Sequence, residues 1–389
     1  MPGDNGTSSF QQSMTSSLYI HIPFCSAKCS YCSFNSYAGL EGLQSRYVEC
    51  LCAEMENVAS SGGVESLKTV FLGGGTPSVL PGDLSGKIIT TYRNCFSAMQ
   101  DVEISMEINP GTVDMAKLDF LHVAGVNRIS FGVQSFIDKE LRSIGRIHTA
   151  EEAVVAVSMA GNAGYENVSL DLMYGLPGQT TASWHQSLET AISLGVKHLS
   201  LYQLTVEEGT PLQQMMYGGT IQLPGEDELA AMDNITRKLT DSAGLRQYEI
   251  SNYAKTGYQC RHNITYWENN EYLGVGAGAV SCVRRSRKRN IADPVEYCDR
   301  IEAGKSVVIE EENLDIEASF RETVIMALRL NSGFSLPGLT ERYGINALDY
   351  YGATLENLIR DGFVEQHAGM IALTDRGRGF ANLVMSELV

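Results

Sequence analysis

The stretch YIHIPFCSAKCSYCSFNSY, residues 19–37, contains three cysteines in a short loop that follows an apolar run. Cys25, Cys29 and Cys32 have the spacing C-x3-C-x2-C. A structural zinc site usually takes four ligands, and because no second cysteine pair follows, zinc would need a residue such as His21 as the fourth. A 4Fe-4S cluster held by three thiolates leaves one iron open to a small molecule. The spacing therefore favours such a cluster, with zinc as the alternative.

Apolar and β-branched runs bounded by turn residues recur along the chain. They cover residues 18–24, 69–72, 102–108, 127–133, 168–174, 198–204 and, less clearly, 247–252. Segments with helical spacing lie between them, which indicates parallel strands joined by right-handed crossovers in an open sheet or a barrel. Glycine or uncommon polar residues follow the successive runs, as in GGGTP and EINPG, and strand ends converge at the mouth of a barrel. We therefore predict an α/β fold, a partial (β/α)6 TIM-like barrel over residues 18–250.

The pattern changes after a segment at residues 251–312, which we interpret as a connection. Residues 313–389 contain three helical stretches, a hairpin pattern and a last helix, and this order resembles a winged helix. Winged helices often bind DNA, but this segment has six Lys and Arg against ten Asp and Glu. We therefore predict a small C-terminal winged-helix-like domain that serves as a lid or structural appendage.

Composition and charge exclude several classes of protein. The formal net charge of -17 argues against sequence-independent nucleic-acid binding, and no apolar run is long enough to cross a bilayer. Residues 1–17 have neither the basic nor the apolar region of a secretory signal, and we predict a disordered leader. The nine cysteines are then expected to remain reduced in a cytoplasmic protein with at most peripheral membrane contact.

The cysteine spacing, followed after the next predicted strand by GGGTP, resembles the radical S-adenosylmethionine (SAM) superfamily. In that superfamily the amine and carboxylate of SAM bind the open iron, and an electron from the cluster cleaves the sulfonium. The segments YIHIPFCSAKCSYCSF, FLGGGTPS, INPGT, ISFGVQSF, GLPGQT and HNITYW together resemble the oxygen-independent coproporphyrinogen III oxidase family, and within it the HemW branch of heme chaperones. This resemblance covers residues 18–389 and implies a radical SAM partial barrel.

The resemblance also implies roles for residues at the predicted strand ends. It implies Cys25, Cys29 and Cys32 as the cluster ligands, and Tyr19, Tyr31, Gly74, Gly75, Thr76 and Glu107 as contacts of SAM. Gln134, Arg146, Asp171 and Thr205 match positions that bind a second SAM in the coproporphyrinogen oxidases. The residues alone leave alternatives open, namely a tight turn for GGGTP, a salt bridge inside the barrel for Glu107, and an ion pair between Arg146 and Asp171.

One position departs from the oxidase pattern. Those enzymes carry C-x3-C-x2-C-x-C, and this chain has Phe34 in place of the last cysteine. That thiol does not bind the cluster, so the cluster is still expected, but its loss argues against a decarboxylating oxidase. HemW-like chains lack it too.

Two further segments are candidates for heme binding. The resemblance to HemW includes an H-N-x-x-Y-W element, with His262, Tyr266 and Trp267 as the heme candidates, since a neutral imidazole can bind heme iron beside aromatic rings. The alternative is a histidine hydrogen-bonded near a core tryptophan. The basic segment VRRSRKRN, residues 283–290, is either a solvated hairpin tip or a source of arginines, Arg284, Arg285 or Arg287, that attract heme propionates.

The sequence therefore supports one leading hypothesis and two alternatives. The leading one is a heme chaperone that carries a SAM-bound 4Fe-4S cluster and passes heme to acceptor proteins, with a homodimer left open. The first alternative is a radical SAM enzyme acting on a porphyrinogen or another substrate. The second is a structural zinc protein. Whether the chain is an enzyme is not decided by the sequence.

Overall fold

The computed structural model describes residues 15–61 and 66–389. Residues 1–14 of the predicted leader lie outside the described part of the chain. Thr15, Ser16 and Ser17, which the prediction also assigned to the leader, begin the first strand instead.

Strands and helices alternate over most of the described chain. The strands are β1 (Thr15–Ile22), β2 (Phe24–Cys25), β3 (Tyr37–Ala38), β4 (Ser66–Gly74), β5 (Ala98–Ile108), β6 (Arg128–Gln134), β7 (Asn167–Tyr174), β8 (His198–Gln203), β9 (Arg246–Gln247), β10 (Asn252–Ala254), β11 (Tyr272–Val275), β12 (Val280–Val283), β13 (Ser286–Asn290), β14 (Val308–Asn313), β15 (Phe334–Ser335), β16 (Val364–His367) and β17 (Met370–Leu373). The helices are α1 (Gln44–Ser60), α2 (Gly82–Cys95), α3 (Met115–Ala124), α4 (Asp138–Ser143), α5 (Ala150–Asn162), α6 (Thr181–Ser193), α7 (Pro211–Tyr217), α8 (Glu226–Ser242), α9 (Arg261–Trp267), α10 (Pro294–Glu302), α11 (Ile316–Ala327), α12 (Leu336–Tyr343), α13 (Ala347–Tyr351), α14 (Ala353–Arg360), α15 (Asp375–Gly379) and α16 (Ala381–Ser386). None of the helices in residues 15–61 and 66–389 has both the length and the apolar character that a membrane span requires.

The centre of the fold is a run of adjacent parallel strands. In the described residues β1, β4, β5, β6, β7 and β8 neighbour one another in that order, and every pair is parallel. At least one helix follows each strand before the next begins. The sheet has free edges at β14 and β9, so the barrel is open. This arrangement confirms the predicted α/β fold with six parallel strands in a partial barrel.

Side chains along β1 alternate between two environments, the hydrophobic core between strands and helices and the cavity inside the barrel. Leu18, Ile20 and Ile22 are fully buried in the main hydrophobic core, which the surrounding helices share. Tyr19 and His21 point to the opposite face, as the two-residue period of a strand requires, and line a cavity inside the barrel. Polar side chains on that inner face are thus available for a site.

Residues 251–312 belong to the main sheet, although the sequence suggested a connection. β10 pairs antiparallel with β8 at one edge. At the other edge β11 pairs parallel with β1, and β12, β13 and β14 follow it as antiparallel neighbours. The seventh predicted strand, residues 247–252, is divided between β9 and β10 because a bend separates them.

The C-terminal part has a hydrophobic core of its own, which includes Phe320, Leu339, Leu355, Ile371 and Val384. Its helices α11 to α14 are combined with a small sheet in the order β15, β17, β16. Helices followed by a hairpin are the elements that the sequence predicted here, whereas the pairing of the hairpin with β15 was not predicted.

Candidate functional site

The three predicted cluster ligands follow β1 closely: Cys25 ends the two-residue strand β2, and Cys29 and Cys32 lie in the loop after it. Cys25, Cys29 and Cys32 are partly buried free thiols. The loop is held at Ser30, between Cys29 and Cys32, by two main-chain hydrogen bonds: the Ser30 amide donates to the Ile144 carbonyl at 3.1 Å, and the Leu212 amide donates to the Ser30 carbonyl at 2.9 Å. The thiols are thereby fixed between β1 and the segments that follow β6 and β8.

The glycine segment after β4 lies against the cysteine loop. The Gly75 amide donates to the Ile22 carbonyl at 2.8 Å, and the Thr76 amide donates to the Phe24 carbonyl at 2.8 Å. Gly74 has a φ of +115°, which favours glycine, and a Cβ on Gly75 would lie 2.6 Å from the Phe24 carbonyl oxygen. The alternative of a tight turn therefore explains the glycine at position 74. At position 75 a glycine is needed because the cysteine loop leaves no room for a side chain.

The thiols and glycines enclose a cleft of about 130 Å³, which we call the thiol cleft. Its lining includes all three cysteines, Tyr31, Phe34, Gly74, Gly75, Thr76, Glu107, Gln134, Arg146 and Asp171. Within residues 15–61 and 66–389, no three His, Cys, Asp or Glu side chains converge on one ion-sized position. A 4Fe-4S cluster has a different requirement, because each of its thiolates binds a different iron. Three separate thiols beside a glycine-lined space fit that group.

Arg146 is the main cationic group of the thiol cleft. Its Nη1 donates to the Cys29 thiol at 3.5 Å, and its Nη2 donates to the Gly132 carbonyl. Its Nε is buried and has no hydrogen-bond partner among the described residues. Asp171 instead accepts from Ser130 at 2.9 Å, so the predicted alternative of a direct Arg146–Asp171 ion pair does not occur in this conformation.

Two carboxyl groups border the thiol cleft. Glu107 accepts a hydrogen bond from the Gly74 amide at 3.0 Å, and no salt bridge to it forms among the described residues. Burial, and then the nearby Asp171, raise the pKa of Glu107 to about 7. Burial also raises the pKa of Asp171. The carboxyl of Glu107 can therefore either donate or accept a hydrogen bond near neutral pH.

The remaining SAM candidates are distributed unequally. Gln134 ends β6 with a φ of 71°, an unusual value for a residue other than glycine, and faces the thiol cleft. The Tyr19 hydroxyl hydrogen-bonds to Nδ1 of His21 at 3.0 Å. Thr205 lies apart from the thiol cleft, in a groove of about 820 Å³ that Tyr174 and Arg237 also line. Eight of the ten candidates thus line the thiol cleft, Tyr19 lines the adjoining cavity inside the barrel, and Thr205 lies in a separate groove.

A larger space of about 520 Å³, the inner cavity, lies within the barrel. Every one of the strands β1, β4, β5, β6, β7 and β8 contributes to its lining, together with α9. Much of its wall is aromatic, from Tyr19, Phe71, Tyr202, Tyr266 and Tyr272. Four residues line both spaces, namely Phe34, Gly74, Glu107 and Asp171. The thiol cleft therefore adjoins a chamber that can hold an organic molecule.

Helix α9 carries the H-N-x-x-Y-W element across the inner cavity. His262 is 1% exposed and shares hydrogen bonds through Nδ1 with Thr69 at 2.7 Å and through Nε2 with Tyr266 at 2.9 Å. Its ring stacks on Phe71 with centroids 5.0 Å apart. Burial, and then Arg128, lower the pKa of His262 to about 3, so the imidazole is neutral.

The three heme candidates occupy different surroundings. His262 and Tyr266 line the inner cavity. Trp267 is not part of that lining, and the Arg329 guanidinium lies 4.4 Å from the centre of its ring. The alternative of a histidine hydrogen-bonded within the core therefore describes His262 in this conformation, whereas Tyr266 faces the cavity.

The basic segment forms a hairpin, with Arg284 and Arg285 in the turn between β12 and β13 at φ values of 50° and 65°. The following cations pair across the strands with β14: Arg287 with Glu312 at 3.2 Å, Lys288 with Glu311 at 3.4 Å, and Arg289 with Glu310. Arg287 also pairs with Glu322. Most of this positive charge is thus balanced by neighbouring carboxylates.

Sequence reasoning missed several residues of the inner cavity, among them Phe71, Arg128, Ser130, Ser200 and Tyr202. Alternate residues of a strand face the interior, so strand phase could have indicated Phe71 and Ser130. Arg128 carried a stronger signal, because a charged residue at the start of the otherwise apolar run RISFGV is unusual in a buried parallel strand.

The chain matches two family descriptions. Residues 19–191 match the radical SAM superfamily, and residues 314–380 match the HemN C-terminal domain.

Full-length relatives are also found. The protein named heme chaperone HemW from Bacillus subtilis is 36% identical over 374 residues, which cover 96% of this chain and 99% of that protein. Its namesake from Mycobacterium tuberculosis is 33% identical and covers 96% of this chain and 94% of its own length. Radical S-adenosyl methionine domain-containing protein 1, mitochondrial, from Danio rerio is 34% identical over 82% of this chain and 74% of its own.

The solved structure of coproporphyrinogen III oxidase (HemN) from Escherichia coli has the same fold. It superposes with a TM-score of 0.85 over 97% of this chain and 90% of that one, at 22% sequence identity.

Proposed function

The chain belongs to the HemW family, a branch of the radical SAM superfamily, and on this basis we propose that it is a heme chaperone that binds heme and delivers it to acceptor proteins. The main structural support is the inner cavity. It adjoins the thiol cleft, has aromatic walls, and is crossed by the helix that carries His262 and Tyr266. Apolar, aromatic-lined cavities with a few polar groups are the usual binding sites for flat organic cofactors.

We propose Cys25, Cys29 and Cys32 as the three protein ligands of a 4Fe-4S cluster. SAM would lie beside them, against the main chain of Gly74 and Gly75. When bound, a cluster with SAM supplies one-electron chemistry at the sulfonium. The residues of this chain orient and shield it: the Gly74 amide holds Glu107 at the cleft wall, and Tyr31 packs against a hydrophobic cluster at the other side.

Heme would occupy the inner cavity, with α9 as one wall. Tyr266 faces the cavity, but its hydroxyl is hydrogen-bonded to His262 at 2.9 Å and would also have to leave that bond. His262 would have to release the hydroxyl of Tyr266 before its Nε2 could bind iron, because that nitrogen is already hydrogen-bonded at 2.9 Å. Trp267, beside Arg329, would support the helix from the other side.

Phe34 supports a chaperone over a decarboxylating oxidase. Its side chain is 67% exposed and borders both the thiol cleft and the inner cavity, so it stands where the oxidases would present a thiol between the two spaces. The second candidate function is a radical SAM enzyme acting on a porphyrinogen. The direct contact between the two spaces favours it, since a radical formed at the cleft would meet a molecule in the cavity.

Anaerobic reconstitution with iron and sulfide tests the proposal. Heme binding, heme transfer to an apoprotein acceptor, and release of 5′-deoxyadenosine are measured separately on the same sample. The chaperone predicts heme binding and transfer without conversion of coproporphyrinogen III to protoporphyrinogen IX. The matched variant Phe34→Cys restores the oxidase spacing and shows whether the thiol alone limits turnover. Conversion by the unaltered protein would support the enzyme instead.

We also propose where the protein acts, which acceptors it serves and in which oligomeric state. Delivery to acceptor proteins, such as respiratory ones, fits a cytoplasmic protein that touches membranes only peripherally, and a homodimer would present two cavities to acceptors. Size-exclusion chromatography with light scattering, with and without heme, tests the dimer.

A further inference from the structure

Arg128 is a buried cation to which the described part of the chain supplies no ion-pair partner. It begins β6, is 2% exposed, and borders the inner cavity. Among residues 15–61 and 66–389 it forms no ion pair within 4.0 Å, and its Nε is buried without any hydrogen bond. A buried guanidinium that lacks an acceptor is costly, so such groups in native proteins usually have a partner that occupies the adjoining space.

The nearby carboxylates are already engaged. Glu103 accepts hydrogen bonds from the main-chain amides of Arg261 at 3.0 Å and His262 at 3.1 Å, at the start of α9. Asp171 accepts from Ser130 at 2.9 Å. Both lie close enough to favour the charged form of Arg128, but neither meets its guanidinium directly. The guanidinium is therefore free to bind a group that enters the cavity.

We propose that Arg128 anchors a carboxylate group of a ligand in the inner cavity. The planar guanidinium matches a carboxylate in a two-point hydrogen-bonded pair, and water exclusion strengthens such a pair. Arg128 is the donor of this wall that remains available to such a carboxylate, because the Ser130 hydroxyl, which lines the same cavity, already donates to Asp171. The aromatic rings of Tyr19 and Phe71 border the rest of the space, so the ligand combines an apolar body with a carboxylate.

Two of the molecules considered above contain a carboxylate that Arg128 could bind. Heme has propionates, and SAM has a methionyl carboxylate that a second bound SAM would present. The assignment to heme rests on the proposed function, whereas the carboxylate site itself does not.

The central experiment replaces the cation by an apolar side chain of similar length, Arg128→Met, in the full, reconstituted protein. Because the described residues supply no ion-pair partner to Arg128, we expect the melting temperature of the variant without added heme to equal or exceed that of the wild type. Heme affinity should fall about tenfold or more, as expected when one partner of a buried charge pair is removed. A merely structural arginine would lower the melting temperature and leave the affinity of the folded fraction unchanged.

Two further variants complete the set. Arg128→Lys keeps the cation but not the planar fork, and it should retain stability and part of the affinity. Arg237→Met is the matched control, because Arg237 pairs with Asp233 at 2.7 Å and does not line the inner cavity. It should bind heme like the wild type.

Heme dimethyl ester, which lacks free carboxylates, identifies the recognised group. The wild type should bind the ester as weakly as Arg128→Met binds heme, and Arg128→Met should bind heme and ester equally. Equilibrium dialysis of SAM tests the other source: if Arg128→Met binds fewer SAM molecules per chain while heme affinity is unchanged, the anchored carboxylate belongs to SAM.

The remaining outcomes separate the two proposals. Unchanged heme affinity together with unchanged SAM stoichiometry in Arg128→Met overturns the carboxylate site. Unfolding of both Arg128→Met and Arg128→Lys also overturns it, since the arginine would then be structural. Failure of the wild type to bind heme contradicts the proposed function, and the SAM dialysis still decides whether Arg128 holds a carboxylate.

Discussion

The main chain at Gly75 lies so close to the cysteine loop that there is no room for a side chain. A Cβ there would lie 2.6 Å from the Phe24 carbonyl oxygen and 3.0 Å from the Cys25 sulfur. The neighbouring oxygen belongs to the main chain and cannot rotate away. Gly75→Ala should therefore push Cys25 out of place, lower the iron and sulfide bound after anaerobic reconstitution, and cost about 1–3 kcal/mol of stability.

Gly161→Ala is the control for that prediction. Gly161 lies in α5, and a Cβ there meets nothing within 4 Å. This substitution should stabilise the helix by about 1 kcal/mol and leave the iron content at the wild-type value. Equal iron content in the Gly75→Ala protein would contradict the proposed fit of loop and glycine segment.

Glu54 gives the stability of the protein a specific pH dependence. Its buried carboxyl accepts hydrogen bonds from Tyr297 at 2.6 Å, Asn290 at 2.7 Å and the Gly276 amide at 2.7 Å, and burial raises its pKa to about 7. The folded state therefore binds a proton more tightly than the unfolded state. Its contribution to stability is fully present below about pH 4.5 and is lost as the pH rises through about 7.

The variant Glu54→Gln isolates this effect. Loss of the hydrogen bond from Asn290 adds a pH-independent penalty, because the amide cannot accept at both positions. The difference in melting temperature, variant minus wild type, should nevertheless increase between about pH 5 and pH 7 and level off above. A difference that stays constant over this range would show that Glu54 titrates normally.

The sequence was informative about individual residues where chemistry restricts the residue type. Cysteine spacing marked Cys25, Cys29 and Cys32, and a glycine cluster after a strand marked Gly74 and Gly75. Arg128 was missed although its place at the start of an apolar run indicated a buried charge, and Glu54 was missed because its role depends on which neighbours the fold brings to it. The contacts of a buried charge are visible only once the surrounding elements are in place.

At the scale of elements, α9 is held by the imidazole of His262. Replacing it, as in His262→Leu, keeps an apolar side chain against Phe71 but removes the hydrogen bonds to Thr69 and Tyr266. Thr69 still donates to Ser17 at 2.8 Å, whereas the Tyr266 hydroxyl loses its partner, so the free energy of unfolding should fall by about 1–3 kcal/mol, measured by urea denaturation.

Asn263→Ala, on the same helix, serves as the control. Asn263 is partly exposed, and its side chain forms no hydrogen bond among the described residues. Its substitution should change stability by less than about 0.5 kcal/mol. If both variants lost stability equally, the hydrogen bonds of His262 would not be the cause.

Element positions were predictable where apolar periodicity was strong. The six barrel strands were found because parallel strands buried on both faces form continuous apolar runs. Strands β11 to β14 were not, because β11 and β12 have four residues each and β13 and β14 are rich in charge, as in SRKRN. The cations of β13 pair with carboxylates of β14, and a single stretch of sequence does not reveal such a match.

At the scale of the whole molecule, the C-terminal domain holds the end of α9. Arg342 donates to the carbonyls of Glu268, at 3.1 Å, and Asn269, at 2.5 Å, and Asn269 donates to Thr323 at 2.9 Å. Arg342→Ala should therefore loosen α9 and the residues after it. Hydrogen exchange should accelerate at the amides of residues 264–270, without change in β6 and β7.

A uniform acceleration throughout the protein would instead indicate global destabilisation. Arg360→Ala provides the comparison, since Arg360 is an exposed residue of the same domain that pairs only with the adjacent Asp361 at 3.2 Å. It should leave exchange in residues 264–270 unchanged.

The two internal spaces have a common wall, made by Phe34, Gly74, Glu107 and Asp171. A molecule held in one space therefore touches groups that bound the other. If filling the first alters the affinity of the second by some factor, filling the second must alter the first by the same factor. Binding and release in the two spaces are then coupled. A change in the concentration of the molecule in one space also changes the apparent affinity for the molecule in the other.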